Sequence, residues 1–584
     1  LITLIIRQMS SSSSSATSQR RANAKKIQAG VSIQTKPVNW QGQQYEEVSE
    51  GKAKVLFVDK NQVFYNPVQE TNRDLSVLMI REYTKRKLSE WQEKLNRDRD
   101  VPFSEAKKRE ILQERIPIKI LEALSATGLR SIRYWKELDN VKRIVANDID
   151  PSAVKAIDRN ILYNGGNIES TTVSSSASTS TASTSTATIS SNQSNAVTLL
   201  SQSQEISDQF DVIDIDPYGS AAPFLDGSVG AVENGGLLLV TCTDAPVLCG
   251  KYPGVCFSKY DALSLEGKYC HEMGLRILLG ALERHAGRYQ RYIVPYLSLS
   301  IDFYMRVFVR VFDSPLMAKR SIERFSNVYQ CIRCRTPYFQ PIGRVEQYES
   351  KKGHPAWKFK NNIHSERDVP NQCTECDSHL RIGGPIWNGP LHDPDVCASL
   401  LKELDAKPNE FGAYERVKSM LLNAQAELSE PPLFYNLAQM ASYTRAIQPK
   451  KVAIHSAVLN AGYRVSMTHI DPDGMKTDAP HTFVWDIFRH LVTEQRKARE
   501  AEGTTVKSLS ANSTSAKILS KPVSHEIDFT LHPKAVALSE GKHPRYPMNP
   551  TSFWGPRRRA TGANDNNQAK RKQEKQSSSI SKKQ

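Results

Sequence analysis

Apolar runs and stretches with helical apolar spacing alternate along this chain in the manner of an α/β sheet. Residues 116–124 form a β-branched run that predicts a buried parallel strand, and 130–138 then carry apolar residues at helical spacing. A second strand is expected at 141–146, and further strands at 210–215 and 236–241. Residues 292–299 and 304–312 read as the last strands of this unit, while 413–426 and 481–499 have the pattern of amphipathic helices. Residues 170–194 break the pattern, being almost entirely Ser, Thr and Ala. Such a segment buries too little apolar surface to offset its ordering entropy, so 168–195 is expected to be a disordered insertion.

Two short segments at the ends of predicted strands carry the chemistry. Leu124-Ser-Ala-Thr-Gly-Leu-Arg130 follows the first strand and opens a helix, which forms a cradle for a nucleotide cofactor around Gly128. Asn147-Asp148 ends the next strand about 20 residues further on, where a carboxylate accepts hydrogen bonds from both ribose hydroxyls. A small-residue turn of this kind also occurs in α/β proteins without a cofactor. The second segment, Asp216-Pro217-Tyr218-Gly219, follows 210–215 and emerges at the carboxyl edge of the sheet, where open α/β sheets bind ligands. A planar base amine donates two hydrogen bonds, so the Asp216 carboxylate and the Pro217 carbonyl can hold it while Tyr218 offers a stacking face. The plain alternative is a turn, which these residue types favour. Asp244 is a second carboxylate at the same edge, serving either the site or a turn. Taken together, the segments point to a nucleotide-cofactor fold bearing an amino-group methyltransferase site.

These residues resemble one family, the S-adenosylmethionine-dependent tRNA (guanine-26, N2)-dimethyltransferases. The likeness runs through Phe64-Tyr-Asn-Pro, Asn72-Arg-Asp-Leu-Ser76, the 124–130 turn, Asn147-Asp148-Ile, 214–226, 241–250, Ala461-Gly-Tyr-Arg464 and His469, covering roughly 46–558. The resemblance implies an α/β fold: a Rossmann-like class I methyltransferase domain followed by a smaller α+β C-terminal domain. It also implies that Arg73, Arg130, Asp148 and Gly128 bind S-adenosyl-L-methionine and that Asp216, with Pro217 and Tyr218, is catalytic. An arginine fork clamps a carboxylate with two parallel hydrogen bonds, which suits Arg73 or Arg130 to the methionine end of that cofactor. The resemblance implies that Tyr463, Arg464 and His469 contact tRNA, the implied partner, with transfer of one or two methyl groups to N2 of guanine 26; the residues by themselves suit a core or surface role equally. A methyltransferase acting on the base amine of another RNA or of DNA, and an inactive RNA-binding or chaperone module, are the alternatives. In this fold an acidic or amide residue after the third strand often meets adenine; that region reads as 196–203 and offers no such contact.

Composition changes the picture in three places. The net charge of +16 is concentrated at the ends: residues 1–30 hold five Lys or Arg and no acid, and 555–584 hold nine against two acids. About +4 remains for everything between, so RNA binding by the body must use local patches. The acid-poor N-terminal stretch resembles a mitochondrial transit segment, and Arg557-Arg-Arg559 with Lys570-Arg-Lys572 resembles a nuclear signal or an RNA-contacting arm. Both destinations, nucleus and mitochondrion, are also implied by the resemblance. No apolar run reaches the ~18 residues that span a bilayer, so no membrane is expected, and no obligate protein partner is indicated. Nine cysteines in 584 residues suit a reducing compartment. Cys331-Ile-Arg-Cys334 and Cys373-Thr-Glu-Cys376 have the two-residue spacing of zinc knuckles, with Trp357 and Lys351, Lys352, Lys358 and Lys360 between them as a finger toward RNA. Cys242, Cys249, Cys256 and Cys270 lack ligand spacing and read as packing residues. The expected organisation is a tail (1–45), the methyltransferase domain (46–315), a tRNA-binding α+β domain (316–500), a polar linker (501–525), a segment packed on the body (526–558) and a basic tail (559–584).

Overall fold

The computed structural model describes residues 35–58, 65–97, 103–167, 187–351, 353–363, 368–503, 509–539 and 546. The expectations for 1–34, for 168–186 and for the basic runs after 556 fall outside these residues. The chain begins with a small antiparallel sheet, β1 (Lys36–Trp40), β2 (Gln43–Glu50) and β3 (Ala53–Phe57), followed by the long helix α1 (Glu70–Asn96). Next come β4 (Ile118–Glu122), α2 (Leu129–Glu137), β5 (Val141–Asp148), α3 (Pro151–Tyr163), β6 (Thr188–Gln193) and α4 (Ala196–Gln202). The unit closes with β7 (Phe210–Ile215), α5 (Ala222–Ala231), β8 (Val232–Cys242), α6 (Cys270–Arg288), β9 (Arg291–Ile301) and β10 (Tyr304–Asp313).

Seven of these strands form one sheet in the order β6-β5-β4-β7-β8-β10-β9, with β4 to β8 parallel and β10 antiparallel to both its neighbours. The alternating pattern predicts an α/β sheet, and the order and direction of these strands are those of the Rossmann-like sheet that the resemblance implies. Both faces are covered, which is why its central strands are rich in apolar residues; all six residues of β7 are buried, Asp211 and Asp214 among them. Along β4, Leu121 joins the core under α4, α5 and α6, whereas Ile120 joins the opposite core with α1, α2 and α3.

The C-terminal part adds β11 (Phe325–Cys331), β12 (Pro337–Pro341) and β15 (Leu380–Trp387) as one sheet, and β13 (Gly343–Glu349) with β14 (Pro355–Asn361) as a separate hairpin. After α7 (Pro394–Ala406) and α8 (Tyr414–Ala426), a third sheet of β16 (Tyr435–Asn436), β17 (Val465–Met467) and β18 (Gly474–Thr477) precedes α9 (His481–Ala501). A third apolar core surrounds Trp485, Phe483 and Phe488 and includes the four knuckle cysteines. Among the described residues no helix is long and apolar enough to cross a membrane.

Four boundaries differ from expectation. Strand β1 and the start of β2 lie inside the expected 1–45 tail, because the Gln41-Gly42 turn, with both residues at positive φ, lets Lys36–Trp40 pair along β2. Strand β6 lies inside the expected disordered insertion 168–195: Ile189 is buried, and an edge strand needs only one paired side, which β5 supplies. Helices α7 and α8 belong by sequence to the expected second domain, yet Val396, Leu400, Val417 and Leu421 are buried in the core shared with α1 and the methyltransferase sheet. The two units are therefore fused rather than strung in series. In the expected linker, the helix Thr514–Ser520 buries Ile518, whose carbonyl accepts from Arg489 Nε at 2.9 Å. Beyond it, Asp528 and Thr530 offer their carbonyls to Asn460 Nδ2 at 3.1 and 2.8 Å.

Candidate active site and metal centre

The parallel strands deliver their chemistry to one edge. After β4 the backbone turns through Ala126 (φ 49°) and Gly128 (φ 74°) into α2, and Asp148 Oδ2 at the end of β5 accepts from Ala126 N at 2.9 Å. Glycine is required at 128: besides its left-handed φ, a Cβ there would stand 3.2 Å from the Ile157 side chain of α3. Gly128 offers no side chain to cap α2, and the first turn is held instead by Thr127 Oγ1, which accepts from Leu129 N at 3.3 Å, and by Glu122 Oε2, which accepts from Ser131 N at 3.1 Å. The other Asp148 oxygen accepts from Asp150 N at 3.0 Å, and each oxygen keeps a further lone pair.

Asp216 follows β7 and is half-buried, Pro217 is buried and Tyr218 is 53% exposed. The Asp216 carboxylate is held through Oδ2 alone, by a close ion pair with Arg130 and by Asn72 Nδ2 at 3.4 Å. Arg130, expected to clamp a cofactor carboxylate, is shared here among Asp216, Asp214 Oδ2 (3.3 Å), Glu122 (3.7 Å) and the Ser76 hydroxyl (3.0 Å). Burial pushes Glu122 up to about 7 against the pull of Arg130. Below this layer, Arg306 donates to Asp214 Oδ1 at 2.9 Å and to Thr241 and Ser76 at 2.8 Å each. Asn72, Ser76 and Arg306 are the functional positions that residue-by-residue reading missed; α1 and β10 bring them in from far along the chain. The buried Asn72 Oδ1 has no hydrogen-bond partner. Behind the Asp216 loop, Thr243 Oγ1 accepts from Gly219 N at 2.7 Å, and Asp244 accepts from the Tyr260 hydroxyl at 3.0 Å while Tyr260 reaches Ser220 at 2.7 Å. Asp244 thus braces the loop.

Arg73 sits one turn-face away, paired with Glu50 through Nε at 2.6 Å and a second, closer contact, and lying over the Tyr65 ring. Glu50 also receives Arg133 Nη1 at 2.9 Å. Burial raises this carboxyl, but Arg73 and then Arg133 outweigh it and bring it from the usual 4.5 down to about 2. A folded-state value below the unfolded one contributes stability above pH 4.5, which is lost as the pH falls through about 2. Acid unfolding monitored by circular dichroism should therefore shift to higher pH in Glu50→Gln, with ~3 kcal/mol less stability at neutral pH because the buried Arg73 guanidinium loses its carboxylate partner, while Arg133 keeps Asp74 and Glu137. An unchanged acid limb would remove the network from this role.

Two further expectations are corrected. His469 is not an exposed tRNA contact: its side chain is 2% exposed, with Nδ1 2.7 Å from Glu427 and Nε2 accepting from Ser300 N at 3.2 Å, so it fastens the third sheet to β9. Arg464 is exposed and paired with Asp478 at 2.7 Å, and Tyr463 packs on Phe483. The adenine region is also displaced. Residues 196–202 form the helix α4; the third strand is β6, which ends in Gln193 and is followed by Ser194 and by Asn195, whose Oδ1 caps α4 by accepting from Val197 N at 2.9 Å.

The two knuckles meet. Cys331, Cys334, Cys373 and Cys376 are all buried, with their sulfurs within 4.8 Å of one another; the 331–376 and 334–373 pairs lie at 3.4 and 3.5 Å. A tetrahedron of thiolates ~2.3 Å from zinc has edges of ~3.8 Å. In each knuckle the residue after the second cysteine, Arg335 or Asp377, has positive φ and returns the chain. Arg333 N reaches Cys331 Sγ at 3.4 Å, the Tyr338 hydroxyl reaches Cys373 Sγ at 3.4 Å, and Thr336 links Cys334 to the Trp485 indole. These donors suit anionic sulfur. The long spacing between the knuckles is taken up by the β13–β14 hairpin, which carries Arg344, Lys358 and Lys360, with Lys358 over the Tyr348 ring.

Comparison with known proteins agrees with this geometry. The model of the N2,N2-dimethylguanosine tRNA methyltransferase family matches residues 42–489. A tRNA (guanine(26)-N(2))-dimethyltransferase of Arabidopsis thaliana is 37% identical over 560 residues, 88% of this chain and 89% of its own. A Schizosaccharomyces pombe protein of the same description is 38% identical over 87% of this chain and 92% of its own. Among solved structures, the complex of Trm1 from Pyrococcus horikoshii with S-adenosyl-L-methionine superposes with a TM-score of 0.56 at 27% identity, covering 75% of this chain and 98% of that one.

Proposed function

The chain belongs to the N2,N2-dimethylguanosine tRNA methyltransferase family, and on that premise we propose that it transfers one and then a second methyl group from S-adenosyl-L-methionine to the exocyclic N2 of guanine 26 in tRNA. The observation that carries this reading is Asp216, fixed at the sheet edge by Arg130 and Asn72 beside the Pro217 carbonyl and the exposed Tyr218 ring. The residues present also fit the methyl donor: the left-handed Gly128 turn that leaves no side chain over the cradle, the half-buried Asp148 with lone pairs to spare, and the unpartnered Asn72 Oδ1 nearby. Asp148 would hold the ribose, Gly128 and its neighbours the methionine end together with Arg130 and Arg73, and the amides after β6 the adenine.

When bound, the cofactor supplies an electrophilic methyl on sulfonium sulfur. The chain's own part is to prepare the amine. Guanine N2 is a poor nucleophile because its lone pair is delocalised into the ring, so its orientation matters most. Asp216 Oδ1, left over from the Arg130 and Asn72 contacts, and the Pro217 carbonyl accept the two N–H bonds, while Tyr218 stacks on the base. The amine gains positive charge as it is alkylated; the Asp216 carboxylate stabilises that charge and takes the proton. After one transfer the remaining N–H still has an acceptor, which permits the second. The four-cysteine centre holds structural zinc, and the basic hairpin beside it meets the tRNA backbone. A mitochondrial destination is supported by a Saccharomyces cerevisiae relative, 33% identical over 88% of this chain, that is described as mitochondrial, and a nuclear one by the basic C-terminal runs.

Incubation with S-adenosyl-L-methionine and an unmodified tRNA transcript, followed by nucleoside mass spectrometry, is expected to yield dimethylguanosine. A transcript with adenine at position 26 should yield none. Methylation of both transcripts, or of neither while the cofactor binds, would overturn the substrate assignment.

A further inference from the structure

Cys249 and Cys270, which lack any ligand-like spacing and were expected to be packing residues, are brought together by the fold. Their sulfurs and a ring nitrogen of His271 lie within 4.8 Å of one another, and all three residues are half-buried. The two segments are clamped by backbone. At Gly250 (φ 99°) a Cβ would stand 2.4 Å from Glu266 N, and Ser264 Oγ donates to the Val247 carbonyl at 2.8 Å. Cys270 is the first residue of the 19-residue α6, where the helix N-terminus favours a thiolate. Its thiol is held below the ordinary value by a hydrogen bond from Cys249. His271 carries its own support, with Nδ1 3.3 Å from the Ser300 hydroxyl, and burial lowers its imidazole below the ordinary value.

We propose that Cys249 and Cys270 form a reversible disulfide on exposure to a hydroperoxide. The Cys270 thiolate attacks one peroxide oxygen; the O–O bond breaks, and the leaving oxygen departs as an alcohol or water after taking a proton. Cys270 is then a sulfenic acid. The Cys249 sulfur attacks the Cys270 sulfur, the S–S bond forms, the S–O bond breaks and water leaves, so that two electrons pass from the thiol pair to the peroxide. The nearby Cys256 is fully buried and is kept out by access. The placement gives the bond a consequence. Cys249 ends the short helix Ala245–Leu248, which begins next to Thr243, the residue paired with Gly219 in the Asp216 loop. A disulfide there ties this loop support to α6.

The full-length protein, reduced and kept in zinc-containing buffer, is treated with hydrogen peroxide, alkylated and mapped without reduction. The expected result is one cross-linked peptide pair, Cys249 with Cys270, two hydrogens lighter than the free thiols and cleaved by dithiothreitol. In Cys249→Ser, Cys270 is expected to stop at a sulfenic acid that dimedone captures. The proposal is overturned if the link forms through Cys256 instead, if Cys270 stays unmodified, or if Cys249→Ser loses an equivalent of bound zinc, which would make the trio a metal site. The wild-type map decides even where a variant folds poorly, and it does not depend on which nucleic acid is methylated.

Discussion

Asp216→Ala is expected to lose ~10²- to 10⁴-fold in the rate of methyl transfer, the usual worth of a positioned acid–base and charge-stabilising group, with cofactor affinity essentially unchanged. The geometry makes the two effects separable. Arg130 remains held by Asp214 at 3.3 Å and Ser76 at 3.0 Å after the Asp216 carboxylate is removed, so the turn that opens α2 keeps its support. Calorimetry with S-adenosyl-L-methionine and single-turnover methylation of tRNA, on the same preparation, read affinity and chemistry independently. Asp216→Asn divides the role further, because an amide can still align one N–H through its oxygen but cannot accept the proton. If the asparagine variant recovers most of the rate, Asp216 aligns the amine and something else takes the proton. Normal turnover in the alanine variant would remove Asp216 from the mechanism.

How much of this was legible in the sequence follows from how local each signal is. The strands around β4 and β7 were legible because both sheet faces are covered, which makes them rich in β-branched apolar residues even though β7 also buries Asp211 and Asp214. The 124–130 turn, Asp148, the Asp216 loop and the paired cysteines were legible because each is a short run with its own chemistry. Strand β6 was not: its composition is that of the insertion before it, and only the hydrogen bonds from β5 make Thr188–Gln193 a strand. With β6 hidden, the amides that follow it went unseen. Nor could the sequence tell that His469 is buried. A histidine between Thr468 and Ile470 suits a core or a surface role equally until Glu427 and the Ser300 amide are found on either side of it. Asn72, Ser76 and Arg306 meet across up to 230 residues of chain, and Cys249 meets Cys270 through a backbone clamp; no spacing rule encodes such contacts. Shared cores are equally silent: α7 and α8 look like parts of a second domain until their apolar stripes are found against α1.

One zinc per chain is expected in reduced, chelator-free protein, and Cys331→Ser should abolish it while damaging one half of the molecule more than the other. Four buried thiols give the physical reason. Without a cation they must stay protonated, because several thiolates packed at 3.4–3.5 Å would repel one another in a poorly solvated site. With zinc, all four ionise and the metal closes a tetrahedron, an interaction worth about 10 kcal/mol or more in isolated zinc peptides. That free energy is spent locally: the cysteines share their core with Trp485, Phe483 and Phe488 of α9, whereas the central sheet packs into two other cores, which Val328, Ile386 and Trp387 of β11 and β15 and the helices α7 and α8 also join. Loss of metal should therefore loosen the α9 core and the β11–β12–β15 sheet first. The Trp485 indole, bonded to Thr336 beside Cys334, should report this as a change in fluorescence that precedes global unfolding. Cofactor binding should persist in Cys331→Ser and tRNA methylation should fall, separating the donor half of the site from the nucleic-acid half. Metal analysis that finds no zinc in the wild-type protein would overturn the assignment. Equal loss of cofactor binding and methylation would instead mean that the fused cores unfold as one, with α7 and α8 transmitting the damage to α1.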